Sequence, residues 1–180
     1  INTMQENINL GIQTMYQCLL LVTEQIHNKY STITTHILIE NMAGQKNELL
    51  YNFIELLKFY KALPEKQKKI IKLCLDTCHL FASGYQLSKE KDVDDLFNII
   101  DKEVGISTLK VIHLNDSLNE CGSHIDRHAS LTKGYIDTLC LKRKNLQSKK
   151  LLIQKLAKLK WRLLFLKKLL LNIEQKLFLL

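Results

Sequence analysis

Proline, tryptophan and glycine are scarce in this chain: one Pro, one Trp and six Gly in 180 residues. So few Pro and Gly exclude a collagen-like or linker-rich chain, and an apolar fraction of 46% excludes an intrinsically disordered one. A stretch of about 18 uncharged apolar residues is also lacking, so no membrane-spanning helix is expected. The five cysteines (Cys18, Cys74, Cys78, Cys121 and Cys140) are odd in number and irregularly spaced, and no secretory leader is read ahead of them. The expectation is reduced thiols in a cytoplasmic or nuclear protein that is not secreted. Cys74 and Cys78 beside His79 would suit a zinc knuckle, but no second cysteine pair follows, so they are read as buried thiols. An initiator Met is lacking too. The chain opens at Ile1 already in a helical pattern, which leads us to expect a fragment or an excised domain. Its length still allows one domain with a sizeable core.

The net charge of +8 is unevenly placed. Residues 1–136 hold 14 Lys/Arg against 16 Asp/Glu, and residues 137–180 hold 12 against 2. The positive excess therefore belongs to the tail alone, and basicity supports a polyanion partner only there.

Apolar residues three or four apart (Ile8, Ile12, Met15, Leu19, Val22, Ile26) predict a helix over residues 2–28 with one buried face. A short strand over 36–40 ends at Glu40. After a Gly-containing loop, Leu49, Leu50, Phe53, Leu56, Leu57 and Tyr60 predict a helix that stops before Pro64. A second strand, 70–76, ends at Asp76, and residues 77–87, with His79 and Gly84, read as a loop. Ser88 is the expected cap of a helix carrying Val93, Leu96, Phe97, Ile100 and Val104, with Gly105 as its stop. A third strand over 109–114 leads into a polar, Gly-containing stretch, again read as a loop. Short apolar strands alternating with amphipathic helices predict an α/β fold with a parallel sheet of βαβ units. Glu40 to Asp76 is 36 positions and Asp76 to His113 is 37. That spacing suits an eightfold βα barrel, whose units average about 31 residues before insertions, although an open doubly wound sheet has the same periodicity.

Each strand delivers a metal-competent side chain at its C-terminal end, the end where such barrels place their chemistry. The candidate ligands are Glu40, Asp76, His79, His113, Asp126 and His128. Six acidic or imidazole donors exceed the roughly four that one zinc takes, so two or three metals are expected if the six converge. Clustered metals suit in-line displacement at a phosphate. The blander alternative is that Glu40 and Asp76 cap helices and that His79 and His128 are solvated loop residues.

Four blocks carry a family resemblance: IENMAGQ (39–45), CLDTCHLFASGY (74–85), HLND (113–116) and GSHIDRH (122–128). In order and spacing they resemble the signature blocks of endonuclease IV, the zinc-dependent abasic-site endonucleases of base excision repair. The wording ECGSHIDRHASL is similar to the viral and eukaryotic branches of that family, so a viral origin fits. The resemblance covers roughly residues 1–136. It implies a TIM barrel with three zinc ions at the strand ends. Glu40 resembles the carboxylate bridging the first two metals, and Asp76 and His113 resemble ligands of the second. His79, Asp126 and His128 resemble the complete set for the third. The implied reaction hydrolyses the phosphodiester on the 5′ side of an abasic site in double-stranded DNA, leaving a 3′-hydroxyl and a 5′ deoxyribose phosphate. The loops of Gly44 and Gly122 would approach the DNA backbone, and a monomer is expected.

The family pattern also calls for two histidines on earlier strands and a glutamate on the last strand. Neither is matched here, Glu174 being a poorly spaced substitute for the glutamate. The expectation is a partial barrel over 1–136 with one full zinc site but without full catalytic power. Residues 137–180 form a basic Leu/Lys-rich tail. Its seam of Leu152, Leu156, Leu159, Leu163, Leu166 and Leu170 would make an amphipathic helix that binds a membrane surface, nucleic acid or a partner helix. A replaced C-terminus, such as a misread frame or chimeric join, is preferred over that. Two competing functions stay open: a sugar isomerase or epimerase barrel with a single Glu, Asp, His, Glu metal set, and an inactive half-barrel whose tail binds polyanions.

Overall fold

The structure is a computed structural model, and it describes residues 2–32 and 34–136. Expectations for residues 137–180, including the leucine seam, Glu174 and Cys140, lie outside the described residues.

A long helix, α1 (Asn2–Lys29), precedes the first strand, β1 (Ile37–Glu40). Then come α2 (Phe53–Ala62), a single turn α3 (Glu65–Lys68), β2 (Ile71–Asp76), α4 (Thr77–Ala82), α5 (Glu90–Val104) and β3 (Leu109–His113). The three strands form one parallel sheet in the order β1-β2-β3, as the βαβ pattern predicts. Two short strands, β4 (Asp116–Ser117) and β5 (His128–Ala129), pair antiparallel beyond the end of β3.

Alternation along β2 explains the layering. Ile71, Leu73 and Leu75 are buried, as are Leu56, Leu57 and Tyr60 of α2 and Leu96 and Ile100 of α5. Successive strand residues point to opposite faces, so Cys74 and Asp76 share the other face of β2. The Tyr60 hydroxyl donates to the carbonyl of Ile71, tying α2 to the sheet. On the far side of α2, Tyr16 of α1 donates to the Ala62 carbonyl and stacks edge-on against Phe59.

Four expected boundaries change. Residues 77–82 are helical rather than loop, because the Asp76 side chain accepts from the N–H groups of Cys78 and His79 and caps α4. The polar stretch after β3 is not all loop, since Leu118 N–H also bonds to the Arg127 carbonyl and extends the β4–β5 pairing. Helix α2 starts at Phe53, not Leu49: Leu50 sits at φ +57°, and the Asn52 side chain caps Ile54 and Glu55. Ser88 does not cap α5, whose cap position is Lys89 without a side-chain bond, whereas Gly105 does close it at φ +79°.

Candidate metal centre

The parallel register sets the geometry. Glu40 lies level with Cys74, while Asp76 lies level with His113. Glu40 therefore starts about two residues lower than Asp76, and its longer side chain makes up height. Its Oε1 lies 3.0 Å from His113 Nδ1 and 3.7 Å from His79 Nδ1. Three successive strand ends thus meet at one rim.

Asp76 is 1% exposed and divides its two oxygens between two tasks. Oδ1 caps α4 by accepting from Cys78 and His79. Oδ2 accepts from the Asn115 amide at 2.6 Å and lies 3.8 Å from both His113 Nδ1 and His128 Nε2. The helix-capping reading and the ligand reading of Asp76 are therefore compatible.

The cap also turns His79 toward the rim. Its Nδ1 lies 2.9 Å from the Asn41 carbonyl. A carbonyl only accepts, so Nδ1 carries the proton and Nε2 of the neutral ring is left with a lone pair. That Nε2 lies 3.2 Å from Asp126 Oδ2, and His128 Nε2 lies 3.1 Å from Asp126 Oδ1. For His79, two acceptors face one another across a gap that needs a cation, either a proton or a metal. A backbone carbonyl fixing the remote ring nitrogen is the usual support for a metal-ligating histidine. Among the described residues, the ion-pair partners of Glu40, Asp76 and Asp126 are all imidazoles, with no Lys or Arg.

Donor atoms within 4.8 Å of one another form four groups: His79 with Asp126 and His128; Glu40 with Asp76 and His79; Asp76 with Cys78 and His128; and Glu40 with Cys74 and His113. All six residues expected from the sequence are brought together. The mixed carboxylate and imidazole set, with a lone pair aimed at a carboxylate, fits a borderline divalent ion such as zinc.

The same charges set the local acidities. Burial pulls the His79 imidazolium down, yet the Asn41 carbonyl, Asp76 and Asp126 outweigh it and hold the ring above its ordinary 6.5. Burial, with Glu40 and Asp76 nearby, pushes the Cys74 thiol up to about 12. Cys74 and Cys78 are buried thiols, as the sequence predicts.

Sequence reasoning missed the support. Asn41 is fully buried and pairs both ways with the backbone of Asp76, accepting from its N–H at 2.8 Å and donating to its carbonyl at 3.1 Å. Thr77 Oγ1 donates to the Asn115 carbonyl and accepts from the Asn115 N–H, at 2.5 and 2.9 Å. Asp116 sits in the HLND block yet turns away from the rim, where its carboxylate accepts from the N–H groups of Ser117, Thr132, Gly134 and Ile136. Gly44 has φ +89°, and a Cβ there would strike His124 Nδ1, so only glycine lets these two rim loops close.

A family model described as a xylose isomerase-like TIM barrel matches residues 12–143, more than half of the chain. The chain belongs to this family. Its three parallel strands are βα units of such a barrel, and the chain is a partial TIM barrel. "Endonuclease 4 homolog" of Dictyostelium discoideum is 44% identical over 104 residues, which is 58% of this chain and 19% of that protein. "Probable endonuclease 4" of Buchnera aphidicola subsp. Acyrthosiphon pisum (strain Tuc7) is 41% identical over 122 residues, 67% of this chain and 43% of that one. The solved structure described as "The crystal structure of AsfvAP:AG" superposes with a TM-score of 0.53 at 28% identity, over 67% of this chain and 41% of that chain. The chain spans less than half the length of these curated relatives. Their names bear out the resemblance to endonuclease IV read from the four blocks. No described helix is long and apolar enough to cross a membrane.

Proposed function

We propose that this rim binds zinc and serves an abasic-site endonuclease, cleaving double-stranded DNA on the 5′ side of an abasic site in base excision repair. The observation that carries the reading is the convergence of Glu40, Asp76, His79, His113, Asp126 and His128 at one sheet end, in the blocks that resemble endonuclease IV. His79, Asp126 and His128 would hold one ion, and Glu40, Asp76 and His113 would serve the others. Bound there, zinc would supply Lewis acidity, lowering the pKa of a water and taking up charge on the phosphate.

The protein's own part is orientation and charge. The Asn41 carbonyl fixes the His79 tautomer, and the Asn115 amide fixes the free oxygen of Asp76. Three carboxylates within a few ångströms would repel a DNA phosphate from the bare rim, so substrate binding is coupled to metal loading. The half-exposed His113 and His128, with side chains 49% and 44% accessible, leave the rim open to a large substrate. A DNA substrate places the work in a cytoplasmic or nuclear compartment, and a monomer suffices.

The test uses the 180-residue chain, loaded with zinc and in excess over a duplex holding one abasic site. The expected result is a slow single-turnover nick 5′ to the site, leaving a 3′ end that a polymerase can extend. His113→Ala or Asp126→Ala should abolish it. A zinc-loaded chain that leaves the duplex intact, or a nick that survives both substitutions, would overturn the proposal.

A further inference from the structure

We propose that His124 is a positioning residue of this centre: it latches the loop that carries Asp126 and His128 onto the extension of β1, and so sets Asp126 at its distance from His79. The inference rests on the reading of the rim as a metal centre and adds to it a residue that itself holds no ion.

Beyond Glu40 the chain of β1 runs on through Asn41, Met42 and Ala43. Asn41 and Ala43 are buried and Met42 is half-buried, so the alternation of a strand continues past its last paired residue. The carbonyls of Asn41 and Ala43 each meet one imidazole. The first lies 2.9 Å from His79 Nδ1, and the second lies 3.3 Å from His124 Nδ1. A carbonyl only accepts, so both Nδ1 atoms carry the proton. His79 turns its other nitrogen to Asp126 Oδ2 at 3.2 Å. His124 has no rim carboxylate among its contacts, but it stands two residues before Asp126 in the chain. One length of backbone therefore holds both sides of the gap between His79 and Asp126, the first directly and the second through His124.

The main chain of the same loop makes a further connection. The N–H groups of Gly122 and His124 donate to the carbonyls of Phe81 and Ala82, in the last turn of the helix α4 that carries His79. His124 itself sits at φ +53°, a left-handed conformation that a residue with a Cβ adopts at a cost and keeps only where its surroundings hold it. Here they do. Tyr51 stands edge-on to the imidazole with ring centroids 5.6 Å apart, and Gly44 packs so close that a Cβ there would strike Nδ1. The Gly44 loop is fixed in turn, because the Glu48 carboxylate accepts from the N–H groups of Gly44 and Gln45 at 2.9 Å. A largely exposed histidine on strained backbone, clamped from a second loop, has a local task rather than a core to fill. Without the latch every donor remains, but metal binding must order the Asp126 loop, and affinity falls.

Two measurements test the latch. Nitrogen chemical shifts of the metal-stripped chain at pH 8 should show His124 as the Nδ1–H tautomer, whereas a solvated imidazole favours Nε2–H. Zinc titration then reads the role, for the equivalent that Asp126→Ala removes. His124→Asn tolerates the left-handed backbone and keeps an N–H donor at the place of Nδ1, while His124→Gly tolerates the backbone and has no donor. Affinity for that equivalent should fall about 10-fold in His124→Gly and stay within about 3-fold of the unmodified chain in His124→Asn. An Nε2–H tautomer, an unchanged affinity in His124→Gly, or an equal loss in both variants would overturn the latch and leave the metal rim standing. Failure of the unmodified chain to take up any zinc would overturn the metal reading itself, and this assignment with it.

Discussion

His79 and His36 stand near opposite ends of the same parallel sheet, and their acidities move in opposite directions. His36 lies just before β1, and burial together with Lys72 and Lys110 pushes it below its ordinary 6.5. His79 stands at the C-terminal rim and is held above 6.5, although burial alone would lower it. The difference is the company each keeps. Near the strand starts, Lys61, Lys68, Lys69, Lys72 and Lys102 line a cleft of about 550 Å³ together with Glu65 and Glu103. Lys61 pairs there with Glu103, and Lys68 with Glu65. Among the described residues, the rim carboxylates Glu40, Asp76 and Asp126 have only imidazoles as ion-pair partners. Like charges offset by neighbouring carboxylates make a solvated surface, whereas acceptors that face acceptors make a place for a cation. This is the division of labour of a βα barrel, with chemistry at the strand C-termini and stability at the other face.

Substitutions at the two ends should separate cleanly. The largest effect belongs to Asp126→Ala, which removes a donor from a part-exposed loop. Calorimetry should show zinc affinity at that site falling more than about 100-fold, while the unfolding free energy moves by less than about 0.5 kcal/mol. Asp76→Ala removes a buried helix cap and leaves the part-buried Asn115 amide without its acceptor, so urea denaturation should show a loss of about 2 kcal/mol in addition to weakened metal binding. Asn115→Ala leaves every ligand in place but frees Asp76, and zinc affinity should fall by about 10-fold. At the other end, Lys61→Ala breaks an exposed pair and should cost less than about 1 kcal/mol with zinc binding untouched.

The pH response sharpens the same contrast. In the metal-stripped chain, the raised pKa of His79 adds stability that is full below 6.5 and is lost as pH rises through the folded value. The lowered pKa of His36 does the reverse, its cost setting in as pH falls through 6.5. Going from pH 8 to pH 6, His79→Gln should remove a gain in melting temperature, and His36→Gln should remove a loss. Matching shifts from both variants would break the comparison.

Strands β1, β2 and β3 were legible in the sequence because β-branched runs ending in a carboxylate or imidazole recur at a barrel-like spacing. The six rim donors were legible because strand ends fix where such residues point. The helix α4 reads as a loop in the sequence, with capping by Asp76 set against ligation as the alternative, whereas one oxygen of Asp76 caps α4 and the other faces the rim. Asn41 and Asn115 were missed for a related reason. Each sits inside one of the four blocks, but an asparagine has no periodic signature, and its value lies in hydrogen bonds across the sheet. Asp116 shows the opposite error of proximity, being close to His113 in sequence yet spent on backbone N–H groups of Ser117 and of the loop that follows β5. The left-handed Leu50, which delays α2, likewise follows from loop closure rather than from composition.

A rim built for divalent metal should reveal itself in zinc titration of the metal-stripped 180-residue chain. At least one equivalent should be taken up at micromolar affinity or tighter, and the Asp126→Ala/His128→Ala pair should remove one equivalent. A chain that remains folded by circular dichroism yet takes up no zinc, or takes it up equally well without Asp126 and His128, would contradict that reading of the rim.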